Sequence, residues 1–278
     1  MIRILVDSSA DYTVEELQKR EMELVPITIT FNDNSYRDGL DITRDTFYDM
    51  LTTSEEFPKT AQPSPQDFLD LFEDAKEKGD SVVCLCLSSG LSGTYQSATL
   101  AKNMAEYDDV YLVDTRTATL AIRLLAETAC KLRAEGKTAA EIFETLETLK
   151  SRTKIIAALD TLEYLQKGGR LSKAAAAIGE LANLKPLITL TEEGTIAVTA
   201  KALGRNKALL TVMKQLADCN IDTDYPVYSI YTLGEENTAK LEEKAAASGI
   251  QVTERLQIGA TIGAHVGPGA SGFVFIQK

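Results

Sequence analysis

Val82-Val83-Cys84-Leu85-Cys86-Leu87-Ser88-Ser89-Gly90-Leu91-Ser92-Gly93-Thr94-Tyr95-Gln96-Ser97-Ala98 is the stretch whose reading decides the fold. Its first six residues form an unbroken apolar run, the mark of a strand buried on both faces. Residues 96–104 have the spacing of a helix start. Three serines, two glycines and a threonine therefore lie in a strand-to-helix turn. Small residues let a backbone approach a ligand closely. The first N–H groups of the helix lack intrahelical partners, and the dipole is positive there. Such a turn is suited to a carboxylate or phosphate, or it is simply a tight capped turn.

Outward from this turn the same alternation repeats. Ser64 as N-cap and Pro65 as first helical residue open a helix over 65–78 that Gly79 stops. Residues 110–113 read as a strand and 117–134 as a helix, and Thr138 with Glu141 caps the next helix. Strand and helix alternate over 81–150, which predicts a largely parallel sheet flanked by helices. Towards the N-terminus, residues 2–6 form a strand ending in Asp7-Ser8-Ser9, where polar residues face the crevice of an α/β sheet. Thr13 with Glu16 caps a short helix, residues 24–31 read as one strand, 36–40 as its hairpin partner and 43–51 as a helix. Residues 59–65 read as a loop with two prolines.

The second half reads as a mixed sheet with helices. Strands are expected at 155–159, 186–191, 195–203, 227–233, 252–258 and 273–276. Helices are expected at 161–166, 174–182, 205–216 and 235–247. Residues 259–272 are glycine-rich. The expectation is two α/β domains, 1–152 and 153–278, packed closely because no linker separates them.

Composition narrows the function. The chain has 278 residues, 44% of them apolar, and a net charge of −12. That charge argues against a nucleic-acid binder. No apolar run reaches transmembrane length and the sequence opens directly on a strand, so a cytoplasmic location is expected. Four cysteines and one histidine show no metal-ligand spacing, and no metal or cofactor is expected. Against the overall acidity, the segment 167–214 carries eight basic residues and three acidic ones. It is either a solvated face or a docking surface for an acidic partner or a phosphate.

Two motif matches fail. Gly267-Pro268-Gly269-Ala270-Ser271-Gly272 fits a dinucleotide fingerprint, but a strand follows it where a helix is needed. Gly90-Leu91-Ser92-Gly93-Thr94 misses the nucleophile elbow by its last residue. There is no phosphate loop for ATP. His265, the sole histidine, stands among small residues in Gly263-Ala264-His265-Val266-Gly267, which implies close approach of a backbone to something.

Asp7-Ser8-Ser9-Ala10-Asp11, Thr60-Ala61-Gln62-Pro63-Ser64, the turn at 88–98, the run 162–172 and the segment 262–270 occur in this order. Together they resemble the DegV family of bacterial fatty-acid-binding proteins over nearly the whole chain. The resemblance implies two α/β domains enclosing a long-chain fatty acid, in a substrate-presenting subunit of a fatty acid kinase. A separate kinase subunit would form the acyl phosphate. It also implies a carboxylate site at Thr60, Ser92 with Gly93, and His265, and it brings the arginine of Gly-Gly-Arg onto Arg170. Departures at Ala61, Ala264 and Val266 leave those positions in place.

The residue chemistry is compatible with this. Two hydroxyls and an imidazole can all donate to one carboxylate. None of these motifs supplies a carboxylate to activate Ser92 through His265. Small and branched residues at 174–178 and 258–262 could wall an apolar tunnel or belong to the ordinary core. Arg205 and Lys207 open a helix where the dipole is already positive, which suggests a partner-facing use. Arg170, after two glycines, is expected to point outward in the same role. Transient contact with a membrane surface is compatible with this reading. Two other readings stay open. One is a serine hydrolase using Ser92 and His265, and the other a phosphate-handling enzyme using the Ser88 turn.

Overall fold

The computed structural model describes residues 1–171 and 183–278. The helix expected at 174–182 and the tunnel wall at 174–178 lie outside the described residues.

The N-terminal half is built on a four-stranded parallel sheet of order β2-β1-β6-β7. Its strands are β1 (Ile2–Asp7), β2 (Met22–Val25), β6 (Ser81–Cys86) and β7 (Val110–Asp114). A small antiparallel sheet, β4-β3-β5, sits beside it, made of β3 (Thr28–Phe31), β4 (Asn34–Arg37) and β5 (Lys59–Ala61). The helices of this half are α1 (Val14–Lys19), α2 (Arg44–Thr53), α3 (Pro65–Lys78), α4 (Thr94–Ala105), α5 (Leu120–Ala134) and α6 (Ala139–Lys150).

A six-stranded mixed sheet of order β10-β9-β8-β13-β11-β12 follows. It contains β8 (Thr153–Ala158), β9 (Leu184–Leu190), β10 (Ile196–Leu203), β11 (Tyr228–Tyr231), β12 (Glu254–Gln257) and β13 (Ser271–Ile276). Its helices are α7 (Glu163–Lys167), α8 (Arg205–Ala217), α9 (Glu236–Ala247) and α10 (Ala260–Val266). The buried cluster that includes Val6, Leu85 and Val113 of the parallel sheet continues through Leu124 of α5 and Leu146 of α6 to Ile155 and Val274 of the mixed sheet. One apolar core thus joins both sheets.

The cap chemistry read from the sequence is realised. Thr13, Ser64 and Thr138 each accept the N3 backbone N–H, and Glu16, Asp67 and Glu141 reach back to the cap backbone.

Five local expectations are corrected. Residues 24–31 are two strands in two sheets, because Pro26 has no N–H to continue a ladder. The partner of β3 is Asn34–Arg37, earlier than expected. Lys59–Ala61, inside the expected loop, pairs with β3 and sets Thr60 opposite Ile29. The glycine-rich segment holds α10. Its β-branched residues and Gly263 lower helix propensity, yet Gly263 is where α10 meets α2. A Cβ there would lie 2.6 Å from Tyr48 Oη and 2.9 Å from a Phe47 ring carbon. The helix beginning at Leu120 also starts later than the expected 117, because Thr119 takes a left-handed φ of 54° and donates to Asp11 Oδ2 at 2.5 Å.

Candidate functional site

The site lies over the C-terminal ends of the parallel strands, where open α/β sheets place ligands. Leu87 follows β6, Ala118 follows β7, and Ile27 follows the break after β2; all three line one cavity. The opposite wall is Ile262, His265 and Val266 of α10, with Leu165 of α7. The volume of this cavity is about 50 Å³. It is therefore a narrow, mostly apolar slot.

Six polar residues, Thr60, Gln62, Ser92, Arg170, Thr261 and His265, face the slot. β5 carries Thr60 and α10 carries His265, and Thr60 Oγ1 lies 2.9 Å from His265 Nε2. With the ring proton on Nε2, the imidazole donates to Thr60 and leaves the Thr60 hydroxyl hydrogen for an incoming acceptor. His265 Nδ1 is buried without a partner among the described residues. The backbone of Gly168 covers that side of the ring so closely that a Cβ there would fall 2.2 Å from Nδ1. Burial first, and then the positive charge of Arg170, push the imidazole down to about 4. The ring is neutral at pH 7.

Ser92 stands at the entry of α4, where its hydroxyl accepts the Thr94 N–H at 3.3 Å and lies 2.9 Å from Thr94 Oγ1. Gly93 leaves room for Gln62, whose Oε1 would lie 2.0 Å from a Cβ at position 93. Gln62 Nε2 donates to Ser97 Oγ at 3.1 Å, so the 59–65 segment is tied to α4.

Arg170 turns inward rather than outward. Its Nε donates to Leu91 O at 3.0 Å and its Nη1 to Gly168 O at 2.6 Å, in a half-buried position on the slot. The structure also separates Arg205 from Lys207. Arg205 donates to Gly269 O at 2.8 Å and pairs with Asp160, so its guanidinium braces the turn before β13. Lys207 is exposed on the first turn of α8. Of the basic pair expected to face a partner, only Lys207 stands out into solvent.

The geometry weighs on the other two readings. Thr60 is the hydrogen-bond partner of His265 among the described residues, and the charge acting on the ring is a cation. Neither feature activates a serine nucleophile, which needs a base oriented by a third group. In the Ser88 turn, Ser88 Oγ donates to Gly194 O at 2.7 Å and Ser89 Oγ to Asp114 at 2.6 Å. Those hydroxyls brace the turn against its neighbours.

Sequence reasoning singled out Thr60, Ser92, Arg170 and His265, and these four share the slot. It passed over Ile27, Ala118, Leu165 and Ile196, which come from four separate segments of the chain and carry no local signal. Ile258–Ile262 was a candidate wall, and Thr261 and Ile262 supply it.

The chain belongs to the DegV family, whose model matches residues 1–278. A DegV domain-containing protein of Caldanaerobacter subterraneus is 35% identical, over 100% of this chain and 99% of the relative. Among solved structures, a fatty-acid-binding DegV family protein from Thermus thermophilus superposes with a TM-score of 0.89 at 33% identity, covering 100% of this chain and 99% of that one. DegV of Bacillus subtilis, described as a fatty acid binding protein, gives a TM-score of 0.85 at 29% identity with the same coverage. Among the described residues no helix is long and apolar enough to cross a membrane.

Proposed function

We propose that this protein binds a long-chain fatty acid in the slot and presents its carboxyl group to a separate kinase subunit for acyl-phosphate formation. The observation that carries the reading is the neutral, shielded Thr60–His265 pair at the polar part of an apolar slot that Ser92 and Arg170 also line. A carboxylate placed there accepts from the hydroxyls of Thr60 and Ser92 and gains from the cationic Arg170. The acyl chain lies along Ile27, Leu87, Leu165 and Ile262, where burial of each methylene contributes about 0.8 kcal/mol. Fatty-acid binding by the two solved relatives supports the ligand class. The residues 1–152 and 153–278 act as the two halves around the ligand, in the cytoplasm. His265 orients the carboxyl oxygen towards the phosphoryl donor, and the chemistry belongs to the partner, since this chain has no ATP loop.

Extraction of the purified protein with organic solvent, followed by mass spectrometry, tests the ligand. A fatty acid near one per chain is expected. Its absence, with no binding of added fatty acid in titration, overturns the reading.

A further inference from the structure

The slot and a second, wider pocket lie on opposite sides of one small hydrogen-bonded cluster. The second pocket is lined by Ser8, Asp11, Asp38 and Arg44, and its rim carries the exposed Glu15 and Leu40. Its volume is about 430 Å³, against about 50 Å³ for the slot. Thr261 faces the slot. Its hydroxyl donates to Asp38 Oδ2 at 2.6 Å and its N–H to the same oxygen at 3.1 Å. Ser8 Oγ lies 3.5 Å from Thr261 Oγ1 and accepts the Ile27 N–H at 3.0 Å. The Asp38 N–H donates to Ile27 O at 3.0 Å, and Ile27 is part of the slot wall. Ser8, Ile27, Asp38 and Thr261 are all buried.

We propose that Ser8, Asp38 and Thr261 form a partition that determines which acyl chains the slot accepts. This rests on the fatty-acid reading above. A methylene sliding past Ile27 and Ile262 meets polar groups that already satisfy one another. Crossing them requires breaking the Thr261–Asp38 bonds, and a hydrocarbon offers the buried carboxylate no donor in return. An acyl chain long or bulky enough to need that space is rejected. One that stays on the apolar side is accepted. Removing the Thr261 hydroxyl and methyl joins the slot to the wider pocket.

The test is a titration of wild type, Thr261→Ala and Ser8→Ala with saturated fatty acids of about 12 to 22 carbons. Wild-type affinity should rise with length to a limit and then fall by about tenfold. Thr261→Ala should bind the longer chains about tenfold better relative to its own affinity for chains below the limit, whatever its absolute affinity. Ser8→Ala, the smaller lesion, should shift the limit the same way and carries the test if Thr261→Ala loses cooperative unfolding. A wild-type length profile in folded variants overturns the partition and leaves the fatty-acid reading standing. So does a uniform loss at every length. If no fatty acid binds wild type, the underlying reading falls, and the partition with it.

Discussion

Acidification should destabilise the unliganded protein through His265 by an amount that its surroundings set. Burial and Arg170 hold the imidazole near 4, below its usual 6.5. The unfolded chain therefore takes up this proton more readily than the folded one. The stability held by the neutral ring is complete above pH 6.5 and is lost as the pH falls through 4. The expected loss is about 2 kcal/mol at pH 5 and about 3 kcal/mol at pH 4. Two buried carboxyls act in the opposite direction: burial pushes Asp7 up to about 6 and Asp11 up to about 7, so their protonation favours the fold as the pH falls. Urea unfolding of wild type and His265→Asn at matched pH cancels those carboxyls in the difference. The wild-type advantage should shrink by about 2 kcal/mol between pH 7.5 and 5. A difference curve flat across that range would refute the reasoning. Saturating fatty acid should reduce the loss, because a carboxylate beside the ring offsets Arg170 and raises the imidazole again. An unchanged loss would mean that the carboxyl binds elsewhere.

Thr60→Ala and Ser92→Ala should each weaken fatty-acid binding by about 1–3 kcal/mol in a direct titration, with unfolding midpoints near wild type. Gly168→Ala should do as much without touching a donor, since its Cβ displaces the His265 ring from Thr60; wild-type affinity in this variant would show that the pair is not needed. Arg205→Ala should cost about 1–2 kcal/mol of stability by releasing Asp160 and the Gly269 carbonyl. Lys207→Ala should leave stability and ligand binding intact but slow kinase-coupled turnover, most at low salt, because exposed charges steer association and are screened within about 8–10 Å.

The alternation of strand and helix through 81–150 was legible because β6 and β7 are nearly continuous apolar runs and Thr138 caps α6 with Glu141. Thr60, Ser92, Arg170 and His265 were legible because each sits in a short local motif. What stayed hidden depends on distant partners. α10 looks like a loop because the N–H of Thr261 in its first turn finds an acceptor at Asp38, more than two hundred residues away in sequence. β5 is three residues long and exists only as an addition to β3. Arg205 looks free until Asp160 is folded beneath it. The apolar lining is invisible for the same reason: Ile27, Ala118 and Ile196 are ordinary apolar residues until three distant segments converge.

The place of β13 has a bearing on biosynthesis. This strand lies between β8 and β11 in the interior of its sheet, paired antiparallel to both and buried along its whole length. On a ribosome it emerges after every other strand of either large sheet. Until then β8 and β11 face each other across a missing strand, and the α10 segment has no anchored C-terminal end. A nascent chain can therefore complete its parallel sheet early, but the His265 side of the slot closes only after residues 271–276 have emerged. The half-finished mixed sheet, with β8 and β11 unpaired on their facing edges, is the stage at which chaperones would be most needed.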